Sequence, residues 1–449
     1  MAVKNDFSRG SVAGNILRLA VPLMLAQLVN VLYNVVDRIY IGHIGGSALP
    51  LAGLGLGMPV ITVISAFSGL FGMGGAPICG VARGRGDIQE AEQVQNTSFV
   101  LLVGCGLLLT VLGEVFLTPI LTLFGASADT MPYAAGYLRI YLLGTVFVMI
   151  SLGMNYFINT QGFAGTGMLT VAIGAVLNLI LDPVFIFGFD MGVPGAALAT
   201  ILSQAVSAAW ALWFLFSRRA ILRLRPRAFR WDGGRVRRIT ALGLSNFIAL
   251  GTNGVVQIAC NATLQSFGGD LYVGVMTVLT AIREVVQMPL SGLTNGAQPV
   301  MSFNYGASQW ERVKKAIRFM TVGGIVYATA CWAVLFFFPA PFVLLFNDEP
   351  ALVQAAIPAL HLYFFGYFMM SLQFAGQAIF VALGKSHQAI FFSLFRKIII
   401  VVPLTLLLPR LFGLGVTGVF LAEAVSNFVG GTACFVTMYL TLYRKLGKT

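Results

Sequence analysis

Charge is scarce in this sequence: only 10% of its 449 residues are Asp, Glu, Lys or Arg. Soluble globular domains carry about 25%, so an ordinary soluble enzyme is excluded. Histidine is scarcer still. His43, His361 and His387 lie far apart, and no zinc-protease helix is possible. The five cysteines (Cys79, Cys105, Cys260, Cys331 and Cys434) are scattered, mostly in apolar runs, and read as small core residues rather than metal ligands. No G-x-S-x-G elbow surrounds any serine. Gly384-Lys385-Ser386 resembles the end of a phosphate-binding loop, but the glycine required upstream is Ile379, so a helix-connecting turn is expected. Without a nucleotide-binding module, the expected energy source is an ion gradient, and no cofactor is implied. The first apolar run continues past Asn30 and Asn34 to Ile41 without a small-residue cleavage site, which argues against a cleavable signal.

What abounds is apolar. Hydrophobic residues make up 58% of the chain. A bilayer core of roughly 30 Å takes about 20 apolar residues per helix, and twelve runs qualify: 15–41, 51–80, 93–122, 133–160, 166–188, 192–216, 237–266, 272–301, 316–345, 356–382, 387–409 and 414–442. The expected class is an all-α polytopic membrane protein with twelve transmembrane helices. The net charge of +12 then reflects basic cytoplasmic loops rather than nucleic-acid binding. Nine arginines between Arg218 and Arg238 separate the sixth run from the seventh. They divide the chain into a first lobe (1–217), a cytoplasmic linker (218–236) and a second lobe (237–449). Lys4, Arg9, Arg83, Arg85, Arg312, Lys314, Lys315, Lys385, Arg444 and Lys445 alternate onto the linker's side. Asp129, Asp190, Asp270, Asp348 and Glu349 fall opposite, with Arg410 the main cationic exception. Both termini are therefore expected in the cytoplasm.

The halves repeat. Pro77 and Pro299, Gly84 and Gly306, Phe116 and Phe338, Pro119 and Pro341, Phe124 and Phe346, Tyr141 and Tyr363, Gly144 and Gly366, and Gly162 and Gly384 all share a sequence offset of 222. Six spans per repeat is an even number, so both halves insert with one orientation about an axis along the membrane normal. Two pseudo-symmetric six-helix lobes with a cleft between them suit alternating access.

Polar residues inside the spans need a reason, since a charge at helix centre costs at least about 2.5–3.5 kcal/mol on insertion scales. Gln27, Asn30, Asn34 and Asp37 form one stripe on the first span. Asn178 and Asp182 share a face of the fifth; Thr200 lies in the sixth and Asn155 in the fourth. Asp37, Asp182 and Thr200 sit about five, six and eight residues from their outer ends, or roughly 7–12 Å. Such oxygens can converge on a hard cation such as sodium, and two close carboxylates can equally take up a proton. Structural roles compete with this: Asp37 solvated at the interface, Asp182 at the helix break before Pro183, Thr200 bonded to its own backbone. In the second half, at an offset of 223, Asn253 and Gln257 replace Asn30 and Asn34 while Cys260 replaces Asp37. Taken at 222, Asn178 and Asp182 meet Ile400 and Leu404, and Asn155 meets Gln377. Thr200 meets Glu423. The ion site thus belongs to the first lobe. On the eighth span, Glu284 either binds substrate or pairs locally. With Gln287, Gln27, Asn30, Asn34, Asn253 and Gln257 it makes up the polar candidates for a substrate pocket.

Over nearly its full length the chain resembles the multidrug and toxic compound extrusion (MATE) transporters. The motifs are Pro22 through Asp37, Asn178-x-x-x-Asp182-Pro183, Gly192-Val193-Pro194-Gly195-Ala196-Ala197, and Gln298-Pro299 through Asn304-Tyr305-Gly306-Ala307. The resemblance implies two six-helix lobes around a V-shaped cleft in the cell membrane, acting as an antiporter. The exports would be amphipathic, mostly cationic drugs or metabolites, exchanged for H+ or Na+. It places the coupling site on Asp37, Asn155, Asn178, Asp182 and Thr200 and a bending proline at Pro22. The missing acid in the seventh span makes the chain similar to the DinF-like bacterial branch. A monomer is expected, with the bilayer as its environment. Two alternatives stand beside export: a flippase of lipid-linked precursors, whose cleft would hold more cations than Arg283, Arg396 and Lys397, and an intramembrane enzyme.

Overall fold

The computed structural model describes residues 6–42, 44, 49–346, 348–411 and 413–447. Lys4 and His43, used above, lie outside them. Among the described residues there is no β-strand. The spanning helices are Val12–Gly42, Leu49–Gly84, Ile88–Val115, the pair Met131–Leu143 and Thr145–Thr160, Ala164–Gly188, and Gly192–Phe216. A continuous run, Gly233–Gly306, follows. It breaks at Gly269 (φ 66°, ψ −164°) into the seventh and eighth spans. The remainder are Trp310–Phe337, the pair Pro350–Tyr363 and Tyr367–Ala382, Ser386–Leu411, and Val416–Lys445. Counting each bent pair as one span, these are the twelve expected. Their outer faces stay apolar, as at Leu107, Leu108, Val111 and Val115 of the third.

The pairs that share the offset of 222 mark the same structural event in each half. Gly144 and Gly366 lie where the fourth and tenth spans bend, by 58° and 51°. Pro119 and Pro341 lie in short helices, Leu117–Leu123 and Pro339–Leu344. Gly162 and Gly384 turn the chain with φ of +92° and +71°. The Gly384-Lys385-Ser386 triplet is accordingly a turn that leads into the helix beginning at Ser386.

Two compact units result. The first comprises residues 1–6 and 21–243, the second residues 7–20 and 244–449. These limits are not the sequence breaks at 217 and 237. In the first unit the second span packs on the third and fourth, and the fifth on the sixth; in the second, the tenth packs on the ninth and twelfth.

The arginine-rich linker is docked on the first unit rather than loose. The Arg225 and Arg223 amides donate to Asn96 Oδ1 (2.9 Å) and Glu92 Oε1 (3.1 Å), and Gln93 Nε2 donates to the Ala228 carbonyl (2.7 Å). Arg235 and Arg238 both pair with Glu90, at 2.8 and 2.9 Å. Backbone N–H groups of Arg235 and Gly234 hold the Asp232 carboxyl below the usual carboxylate range, which suits its place at the start of the seventh span.

The Asn304-Tyr305-Gly306-Ala307 motif has a structural task in the second unit. Asn304 Nδ2 donates to the Phe7 carbonyl at 3.1 Å. Arg312 donates to the carbonyls of Phe7, Arg9 and Gly10 at 2.8, 3.0 and 2.9 Å. This clasp explains why residues 7–20 join the second unit while the rest of the first span joins the first. The chain changes unit at Val21, beside Pro22.

Candidate functional site

Four of the five residues expected to bind a cation come together in the first unit. Asn178 is the hub. Its Nδ2 donates to Asp182 Oδ1 at 3.1 Å and, more weakly, to Thr200 Oγ1 at 3.4 Å. Thr200 in turn donates to the Ala196 carbonyl at 2.9 Å, which fixes its rotamer. The Asp37 and Asp182 carboxyl groups lie within hydrogen-bonding reach of each other. Asp182 is 1% exposed and Asp37 8%. Asp37 Oδ1 and Asp182 Oδ2 are buried without a hydrogen-bond partner. Two carboxyls in contact at low dielectric need a shared proton or a cation between them.

Local sequence explains the convergence. The four-residue spacing puts Asn178 and Asp182 on one helical face. Directly after Asp182-Pro183 the fifth span continues as a π-helical turn, Val184–Gly188, a form common beside functional sites. The sixth span starts close against that turn. A Cβ on Gly195 would stand 2.8 Å from the Phe185 carbonyl oxygen, so only glycine permits the approach that brings Thr200 to Asn178.

Asn155 is placed elsewhere. Its Nδ2 donates to the Gly167 carbonyl at 3.2 Å, eleven residues before Asn178, or about 16 Å along the helix. Gln377, its counterpart at the offset of 222, makes the same bond to Ala389, the counterpart of Gly167. A bond kept in both units, one of them without the paired acids, joins helices, while Asn155 Oδ1 is buried without a hydrogen-bond partner.

The substrate candidates also separate. Asn30 lines a first-unit cavity of about 60 Å³ with Tyr33, Asn178, Thr200 and Gln204, which is space for a few waters or an ion. Asn34 Nδ2 instead donates to the Asn30 carbonyl at 2.6 Å, and Gln27 is half-buried on the same helix. Asn253 and Gln257 line a cavity in the second unit. Gln287 Nε2 donates to Met370 Sδ at 3.4 Å. Glu284 is exposed, and the acid that pairs with Arg283 is Glu423, at 3.4 Å.

Two tyrosines join the site without being sequence candidates. Tyr137 stands beside Thr200, and Tyr33 and Tyr137 both stand near Asp37. The available signal is a break in the repeat: Tyr137 has Ala359 as its counterpart at 222, whereas Tyr141 keeps Tyr363. Ser151 donates to Gln204 Oε1 at 2.6 Å across the same cavity.

Among the described residues no group of three His, Cys, Asp or Glu side chains could hold a metal ion. Two carboxyls, an amide and a hydroxyl remain a donor set for a hard monovalent cation or a proton. A model of the MatE family matches residues 22–184 and 248–407. The chain belongs to the MatE family, which comprises transporters and not enzymes. It is 26% identical over 429 residues to the multidrug export protein MepA of Staphylococcus haemolyticus, covering 94% of this chain and 93% of that one. MepA of Staphylococcus aureus strain NCTC 8325 is 23% identical over 436 residues, covering 97% and 95%. Of solved structures, a MATE transporter in the bent conformation superposes with TM-score 0.93 at 24% identity, covering 100% of this chain and 99% of that one. A Pyrococcus furiosus transporter described as having a binding pocket of reverse polarity superposes with TM-score 0.91 at 25% identity, covering 99% and 98%. Among the described residues, this MatE-family fold carries its buried acidic pair in the first unit.

Proposed function

We propose that this MatE-family protein is a cation-coupled exporter of amphipathic, mostly cationic drugs or metabolites, admitting H+ or Na+ in exchange. The observation that supports this reading is the contact of Asp37 with Asp182 beside Asn178 and Thr200. A buried acidic pair is unfavourable in a membrane protein unless protons or cations visit it, and a gradient-driven exporter supplies both. The full-length relatives named as multidrug export proteins agree with it. The test is transport of a fluorescent lipophilic cation into everted membrane vesicles. Accumulation should follow an imposed pH or sodium gradient and collapse with it. Accumulation indifferent to both gradients would reject the coupling.

Orientation belongs to the same proposal: both termini and the docked arginine linker face the cytoplasm of the cell whose plasma membrane the protein spans. With Arg227→Cys, a membrane-impermeant maleimide should label only from the cytoplasmic side. With Asp348→Cys it should label only from outside. The opposite pattern would invert the topology.

A further inference from the structure

A basic cluster buried in the second unit has no part in the coupling scheme above. Arg283 comes from the eighth span, Glu423 from the twelfth, and Arg396 and Lys397 from a π-helical stretch of the eleventh, Phe395–Val401. Arg396 Nη1 donates to Glu423 Oε1 at 2.9 Å, Asn427 Oδ1 at 3.1 Å and Ser426 Oγ at 3.3 Å. Arg283 Nη1 reaches the same carboxylate oxygen at 3.4 Å, and its guanidinium lies over the Tyr363 ring at 5.6 Å. Lys397 Nζ donates to the Ala249 carbonyl at 2.7 Å. Three cations thus face one carboxylate. Glu284 is exposed on the helix that carries Arg283, about 100° around its axis. Arg283 Nε is buried with no hydrogen-bond partner. All four charged side chains line one cavity of about 20 Å³, with Asn253 and Gln257 at its wall.

The internal repeat identifies this cavity as the counterpart of the first-unit cavity. At an offset of 223, Asn30 corresponds to Asn253, Tyr33 to Val256, Gly174 to Lys397, Asn178 to Val401 and Thr200 to Glu423, and every one of these residues lines the cavity of its own unit. Asp37 and Asp182 correspond to Cys260 and Thr405, which also meet, Sγ to Oγ1 at 3.9 Å. The fifth and eleventh spans therefore register at 223 in this region, and Thr405 rather than Leu404 replaces Asp182. Where the first unit has the paired acids the second has Cys260 and Thr405, and its cavity is lined by three bases and one acid, Glu423, where the first-unit cavity has no charged side chain. Uncompensated positive charge at low dielectric favours an incoming anion, and a guanidinium fork suits a carboxylate.

We propose that this second cavity binds the carboxylate of a transported amphipathic acid or zwitterion. Arg283 and Lys397 supply the contacts, and Glu423 is the resident anion that the incoming group competes with. The inference rests on the exporter reading and extends its substrate class beyond plain cations.

The test uses the full-length protein in phosphatidylcholine nanodiscs and two dyes, rhodamine 110 with a free carboxyl group and its methyl ester, rhodamine 123. Wild type should bind the acid more tightly than its lipophilicity alone would give. Arg283→Gln and Lys397→Gln should each weaken the acid by about tenfold, the loss of one charge-assisted contact, and leave the ester within about twofold. Glu423→Gln should tighten binding of the acid, a gain that damaged folding does not produce. Parallel shifts of acid and ester in all three variants would overturn the proposal. So would loss of the selective acid binding when phosphatidylglycerol is added to the discs, because a lipid headgroup would then be the occupant. Gradient-driven uptake of the ester without selective binding of the acid defeats this inference and spares the exporter reading, while failure of both defeats both.

Discussion

Asp37→Asn should reduce gradient-driven efflux to the level of vesicles that lack the protein, at unchanged expression. The substitution keeps the shape of the side chain and removes its charge. Asp37 is buried against Asp182, and its Oδ1 has no hydrogen-bond partner, so little of the surrounding packing depends on the charge. What is lost is the second member of the acidic pair, and with it the repulsion that a proton or sodium ion relieves on binding. Thr200→Ala is a milder case. It removes one weak acceptor for Asn178 and leaves the pair itself intact, so efflux should fall while its ion dependence persists. The measurement is drug accumulation in everted vesicles normalised to protein level. Wild-type activity from Asp37→Asn would remove the carboxylate pair from the mechanism.

Pro22→Ala should retain drug binding and slow efflux severely. Proline at this position deletes one backbone hydrogen bond of the helix interior and leaves a bending point. It stands next to Val21, where the chain passes from the second compact unit to the first. The helix before it is held by the clasp of Asn304 and Arg312 on Phe7, Arg9 and Gly10. Asp37 is fifteen residues beyond it, about 22 Å along the same helix. A bend at Pro22 can therefore carry Asp37 relative to an anchored start. An ion shifts such an equilibrium only by its differential affinity for the two states. Drug and ion should consequently weaken each other's binding by one common factor, about 5–150-fold for typical couplings. Titrating drug affinity against sodium and pH, and ion affinity against drug, measures both sides. Equal drug affinity across all conditions would reject the competition. Normal turnover with lost drug binding in Pro22→Ala would reject the hinge.

Sequence alone determined the class, the twelve spans, the two-fold repeat and three of the positions that make the acidic site. Each rests on local physics. A bilayer leaves no water for the backbone, so long apolar runs must be helices, and residues four apart on a helix share a face whatever surrounds them. Asn178 with Asp182 was legible for that reason, and Thr200 at matching depth nearly so. Side-chain partnership across helices was not legible, because it depends on how each helix is rotated and bent. Asn155 matches in type and rough depth but faces Gly167, and the bond recurs in both units. Tyr137 escapes a sequence reading because a tyrosine in an apolar run carries no mark of what it faces. Arg283 reads as an isolated cation on one span and Arg396-Lys397 as another on a second; only the tertiary structure brings them onto Glu423 and shows that the second cavity is charged where the first is lined by neutral groups. The π-helical stretch around Arg396 lies between Ala389, which still pairs with Gly167 at 222, and Thr405, and shifts the register by which helix faces are counted, so an offset of 222 pairs Asp182 with Leu404 when its spatial counterpart is Thr405.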